Sequence, residues 1–172
     1  MVYRTRTYIA ADWEGDKNAV DALHHWNNSN YYGLSFTDAH DLMQSRDTSL
    51  NCSIKRSLKE RMDCSKTFVL IVGDNTISVR SGSCAYCPSY RKTSWGGYCA
   101  RSHSVDLRSY VEYECDKALE AKIKIVVLYN SWKVDKNKCP KALWNYGKHI
   151  PMWYWDNGQY YWDYQAIKNA IQ

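Results

Sequence analysis

Thr67-Phe-Val-Leu-Ile-Val72, closed at once by Gly73-Asp74-Asn75, is an unbroken apolar, β-prone run that stops in a turn. A strand with one face in water alternates polar with apolar residues. A run without alternation needs cover on both faces, as in a parallel sheet flanked by helices. Ile123-Lys-Ile-Val-Val-Leu-Tyr129 has the same character. Just before the first run, Ile54, Leu58 and Met62 repeat every four residues with Lys and Arg between them, which is the stripe of an amphipathic helix.

Working outward, Thr7-Tyr-Ile-Ala-Ala11 predicts an earlier strand ending at the polar turn Asp12-Trp-Glu-Gly-Asp16. Ala19, Val20, Leu23 and Trp26 mark a short helix over 18–26, and Gly33-Leu-Ser-Phe-Thr37 reads as a second strand closing on Asp38-Ala-His-Asp41. A further helix is predicted from Leu107 to Lys122. At the far end, His149–Trp155 reads as a last strand and Tyr164–Ile171 as a final helix. Strand and helix in repeated order predict an α/β fold with a doubly wound, mostly parallel sheet. Residues 79–106, rich in Gly, Ser, Cys, Tyr and Arg, lose helical periodicity and read as an insertion. Residues 139–172 form an aromatic-rich tail.

The chain has 172 residues, enough for one domain with a core of its own. Its net charge of +5 is spread along the sequence without a Lys/Arg cluster, which argues against a nucleic-acid surface. The first residues show no basic segment followed by an apolar one, and no apolar run approaches membrane-spanning length, so the expected setting is the cytoplasm with reduced cysteines. P-loop, G-x-G-x-x-G, G-x-S-x-G and H-E-x-x-H motifs are absent from the sequence.

In doubly wound sheets ligands bind beyond the carboxyl ends of the strands, where the strand order reverses. That directs attention to Asp12–Asp16, Asp38–Asp41 and the stretch after Gly73, although an Asp after a strand equally serves as a helix cap or turn residue. On the 107–122 helix, Val111, Cys115, Ala118 and Leu119 define an apolar sector, and Glu114 falls just inside its margin, one turn after Tyr110. A carboxylate there needs a partner; Lys117 would supply an ordinary ion pair, and a functional site is the alternative. Cys84, Cys87, Cys99 and His103 have the spacing C-x2-C-x11-C-x3-H, a candidate structural zinc site, with free thiols or a disulfide as the other readings. The tail aromatics Trp144, Trp153, Trp155 and Trp162, with their tyrosines, suit packing or a protein interface better than base stacking.

Several stretches together resemble the TIR-like domain of Thoeris antiphage defence proteins: Tyr8-Ile-Ala-Ala-Asp-Trp-Glu14, Ser35-Phe-Thr-Asp-Ala-His-Asp-Leu42, Ile54–Met62, Ser65–Thr76, Tyr110-Val-Glu-Tyr-Glu114 and Cys139-Pro140. The resemblance implies a flavodoxin-like three-layer sandwich that binds NAD and breaks its nicotinamide bond, with NAD as substrate and no other cofactor. It also implies a cyclic ADP-ribose-like product that reaches a partner effector. The family's aromatic-x-x-x-Glu arrangement carries over to Tyr110 and Glu114, with Tyr where many relatives have Trp. Glu114 is then the candidate catalytic residue, and Asp12, Trp13, Asp38, His40 and Tyr110 are candidate nucleotide contacts. A non-catalytic module that self-associates through homotypic contacts is the alternative from a different functional class.

Overall fold

The structure, a computed structural model, describes residues 4–39 and 50–172. Four parallel strands form the sheet: β1 (Arg6–Ala10), β2 (Ser65–Val72), β5 (Lys124–Tyr129) and β6 (Lys148–Pro151), ordered β1-β2-β5-β6. Register carries side chains across the sheet in rows, Tyr8 beside Phe68 beside Ile125, and Ile9 beside Val69 beside Val126. Successive side chains of a strand point to opposite faces. The first row therefore enters one core and the second row the other.

Each face is covered by two helices. α2 (Asn51–Asp63) and α3 (Tyr110–Ala121) contribute Leu58, Met62, Val111, Cys115 and Ala118 to the core containing Tyr8 and Phe68. α1 (Lys17–Asn28) and α4 (Tyr164–Ile171) contribute Ala19, Val20, Leu23, Trp26, Ile167, Ala170 and Ile171 to the core containing Ile9 and Val69. The three-layer, flavodoxin-like α/β arrangement expected from the sequence is what the structure shows. Each large apolar side chain buried in it contributes about 1.5–3 kcal/mol.

Two local expectations are corrected. Gly33–Thr37 is not a strand; among the described residues the segment meets β1 through one bridge just beyond it, Asp38 opposite Thr7, with Thr7 N–H donating to Thr37 O and Ala39 N–H to Thr7 O. On the edge turned away from β1, the Phe36 N–H donates to Asn27 Oδ1 at the end of α1. The His149–Trp155 strand divides at Met152 into β6 and β7 (Trp153–Asp156), and β7 turns back as a hairpin with β8 (Gln159–Trp162). Met152 is fully buried and its N–H bonds to Tyr129 O, which ends the parallel ladder there. The connection from β5 to β6 uses two 3-10 turns around Cys139-Pro140, with buried Leu143 filling the core.

The Cys-rich insertion folds outside the sheet as a 3-10 turn at Cys84–Tyr86 and a hairpin of β3 (Tyr90–Thr93) and β4 (Gly96–Cys99). Its ends are tied together: Cys84 N–H donates to Asp106 O, and Tyr110 N–H to Ser81 O. Ser109-Tyr-Val-Glu112 then starts α3 with a capping box, each side chain bonding the other residue's N–H. No helix among the described residues is long and apolar enough to cross a membrane.

Gly147, which leads into β6, has φ +80° and faces the Ile125 carbonyl oxygen, 2.6 Å from where a Cβ would sit. Gly147→Ala therefore combines backbone strain with a clash against a central strand. We expect it to lower unfolding stability by roughly 1–3 kcal/mol, read as a reduced urea midpoint at unchanged slope.

Candidate functional site

Glu114 lies one turn into α3, on the side turned toward the sheet, and is only 3% exposed. Its partner comes from β1: the Tyr8 hydroxyl donates to Glu114 Oε1 at 2.5 Å. Lys117, the partner suggested by helical spacing, instead bonds Glu120 on the helix exterior. Burial is the main influence on the Glu114 carboxyl. It outweighs the Tyr8 hydrogen bond and the nearby charge of Arg61, and pushes the pKa up to about 8. Tyr8 is itself fully buried, and its hydroxyl is raised by burial and then by Glu114, with Asp38 adding to the effect. A proton is thus held between β1 and α3 at neutral pH, on the carboxyl.

Asp38 stands beside β1 through the single bridge to Thr7, buried, with its carboxylate 3.2 Å from His24 Nε2 of α1. Tyr110 does not bond Glu114. Its hydroxyl donates to Asn51 Oδ1 at the start of α2, and its ring packs on Gly82, where a Cβ would come within 2.5 Å of it. Burial, with the nearby sulfurs of Cys87, Cys52 and Cys84, raises the Tyr110 hydroxyl to about 12. His40 lies outside the described residues.

Asp12 and Trp13 belong to a second polar centre, at the carboxyl ends of β1 and β2. From here β1 leads into α1 on one face of the sheet, and β2 leads through the insertion to α3 on the other. Trp13 is about one-third exposed there. The Asp12 carboxylate lies against Gly15, and Asp16, buried, lies against Gly73. Neither glycine position leaves room for a Cβ, so both carboxylates come up to the backbone. Asn130, at the end of β5, donates to Asp16 Oδ1 at 2.9 Å and to Asn18 Oδ1. Burial raises the Asp16 pKa, partly offset by Asn130, with Asp12 and Asp74 adding to the rise.

The remaining candidates are spread apart. Among the described residues no three His, Cys, Asp or Glu side chains are gathered as a metal site needs, so Cys84, Cys87, Cys99 and His103 do not come together. His103 Nδ1 faces Cys52 instead, at 3.1 Å. A cleft of about 400 Å³ opens on the outer side of α3, lined by Arg108, Glu112, Asp116, Cys139, Pro140 and Trp144. Glu114 is on the opposite side of that helix. Sequence reading missed Tyr8, Arg61, His24 and Asn130, while Asp16 lies in the Asp12–Asp16 loop it had singled out. Tyr8 alone left a signal, a hydroxyl in an otherwise apolar strand, which requires a partner once buried.

Residues 8–81 match the family model described as Thoeris protein ThsB, TIR-like domain. The resemblance read from these motifs therefore holds for the stretch from β1 through β2 to the entry of the insertion. α3, with Tyr110 and Glu114, follows the matched segment. No curated protein matches the chain.

The Glu114 carboxyl keeps its proton up to about pH 8 when folded and loses it near the ordinary 4.5 when unfolded. Between those values the folded state binds the extra proton, so stability falls as pH rises. The contribution is about 1.4 kcal/mol per pH unit. Urea unfolding from pH 5 to 8 should show this decline in the wild type and lose it in Glu114→Gln. Tyr8→Phe, which removes the donor that favours the carboxylate, should extend the decline to higher pH.

Proposed function

We propose that this protein is a TIR-like signalling protein of antiphage defence that binds an NAD-type nucleotide and cleaves its nicotinamide–ribose bond beside Glu114. The observation that carries this reading is the Glu114–Tyr8 pair. A carboxyl sealed in the core and fixed through one oxygen costs stability, and such groups concentrate at working sites. The match over residues 8–81 supplies the signalling context.

The chemistry asks little of the protein. The nicotinamide ring carries a positive charge while attached and leaves as a neutral molecule with the bonding electron pair. No general acid is needed, and the positive charge passes to the ribose as an oxocarbenium-like centre. A carboxylate in low dielectric stabilises that centre far better than one in water. Attack by water then gives ADP-ribose, and attack by a group of the same nucleotide gives a cyclic product able to diffuse to an effector. Approach of the cationic ring favours loss of the Glu114 proton. Asp12 and Trp13, at the carboxyl ends of β1 and β2, are the proposed contacts for the rest of the nucleotide. Since Glu114 is packed away, reaction requires the surface above it to open, which makes the resting protein latent.

Exposed Tyr154, Trp155, Tyr160 and Tyr161 on the β7–β8 hairpin favour the other reading, a self-associating module without catalysis. Nicotinamide release from NAD separates the two. It should rise with pH through about 8, where Glu114 ionises, and fall at least a hundredfold in Glu114→Gln. Unchanged release in that variant removes Glu114 from the reaction. Assembly with concentration, combined with no NAD binding by calorimetry, decides for the module.

A further inference from the structure

The insertion is fastened to the first turns of α2. Asn51 Nδ2 donates to Ser83 O at 2.9 Å, and Lys55 Nζ donates to Arg108 O at 2.7 Å and Asp106 O at 3.3 Å. Between these ties Cys52 Sγ lies 3.1 Å from His103 Nδ1, joining α2 to the strap that follows β4. Cys52 is half-buried and His103 exposed, so the pair is open to small reagents.

Two features surround this sulfur. It sits in the first turn of a thirteen-residue helix, where N–H groups lack intrahelical acceptors and the helix end is positive. It also has an imidazole nitrogen within reach of its proton. With the ring proton on Nε2, Nδ1 accepts the thiol hydrogen, which is the nucleophile-and-base arrangement of cysteine chemistry. The same helix provides its own reference: Cys64, more exposed, stands at the C-cap, at the opposite pole.

We infer that Cys52 is a modification site, a nucleophilic thiol with His103 as its base, whose co-reactant is a hydroperoxide. Sulfur attacks the terminal peroxide oxygen and the O–O bond breaks. The thiol proton passes by way of His103 Nδ1 to the departing oxygen, leaving a sulfenic acid and water or an alcohol. The added oxygen occupies the position of the Sγ–Nδ1 contact. It loosens the tie between α2 and the insertion beside the Asn51–Tyr110 hydrogen bond, one turn before Glu114. The inference stands independently of NAD chemistry.

The test uses the full chain with limiting iodoacetamide, and separately hydrogen peroxide with dimedone, each followed by peptide mass spectrometry. Cys52 should alkylate about tenfold faster than Cys64 despite its lower exposure, and should take the dimedone adduct after peroxide while Cys64 does not. His103→Gln should bring the two alkylation rates within about twofold. Buried Cys115 and Cys139 should stay unlabelled, which reports an intact core, and His103→Asn serves if His103→Gln exposes them. Cys52 reacting no faster than Cys64 overturns the inference. So does an advantage that survives loss of the imidazole in a variant whose Cys115 remains protected.

Discussion

Everything in this molecule is arranged around β2, which has neighbours in every direction. Its backbone is paired on one edge with β1 and on the other with β5, and its side chains divide between the two cores. Phe68, Leu70 and Val72 face α2 and α3, while Val69 and Ile71 face α1 and α4. A one-residue slip of this strand would exchange both sets at once, so register is set by two cores rather than one. The same constraint brings Tyr8 beside Phe68 and hence under α3, where its hydroxyl finds Glu114.

That pair also shows how polarity is accommodated so deep. A lone ionised carboxylate in this position would be far more costly than the neutral acid, and the protein holds the proton instead. The result is a group poised between two charge states near physiological pH, governed mainly by burial and so sensitive to any opening of the surrounding packing. The carboxyl ends of β1, β2 and β5 use a different device. There, two glycines let carboxylates approach the main chain, and Asn130 holds Asp16 from the neighbouring strand. The two polar centres have different physical characters, one sealed and titratable, the other partly open and built on close backbone approach.

Much of the architecture was legible in the sequence because β2 and β5 are continuous apolar runs, and α2 and α4 keep clear helical stripes. The edges were not. Gly33–Thr37 has strand-like composition, yet among the described residues its pairing with β1 is confined to the Thr7–Asp38 bridge, and its Phe36 N–H donates to the Asn27 side chain. Met152 gave no sign that it would divide a strand, since its burial comes from a core assembled by β1, β2, β5, α1 and α4. At the site, helical phase placed Glu114 at a margin, whereas the structure sinks it fully. The margin of a helix is decided by what lies opposite, and Tyr8 is more than a hundred residues away in sequence. The cysteine spacing suggested a tetrahedral cluster, but His103 found its contact in Cys52, which no local motif links to it.

The junction at Met152 has a consequence for how the chain can diversify. Its N–H bonds Tyr129 O, and its own carbonyl accepts from Asp163 N–H, so the β7–β8 ribbon leaves and rejoins the body at one residue. α4 begins immediately afterwards, with Asp163 as its cap, and takes its seat against β5 and β6. Ribbon length and ornament are thereby uncoupled from the seating of the last helix. Trp153 and Trp162 anchor the ribbon on the second core, Trp162 against Trp26. The graft point therefore lies between them, over Tyr154–Tyr161, where exposed side chains can be exchanged while the architecture beneath is left untouched.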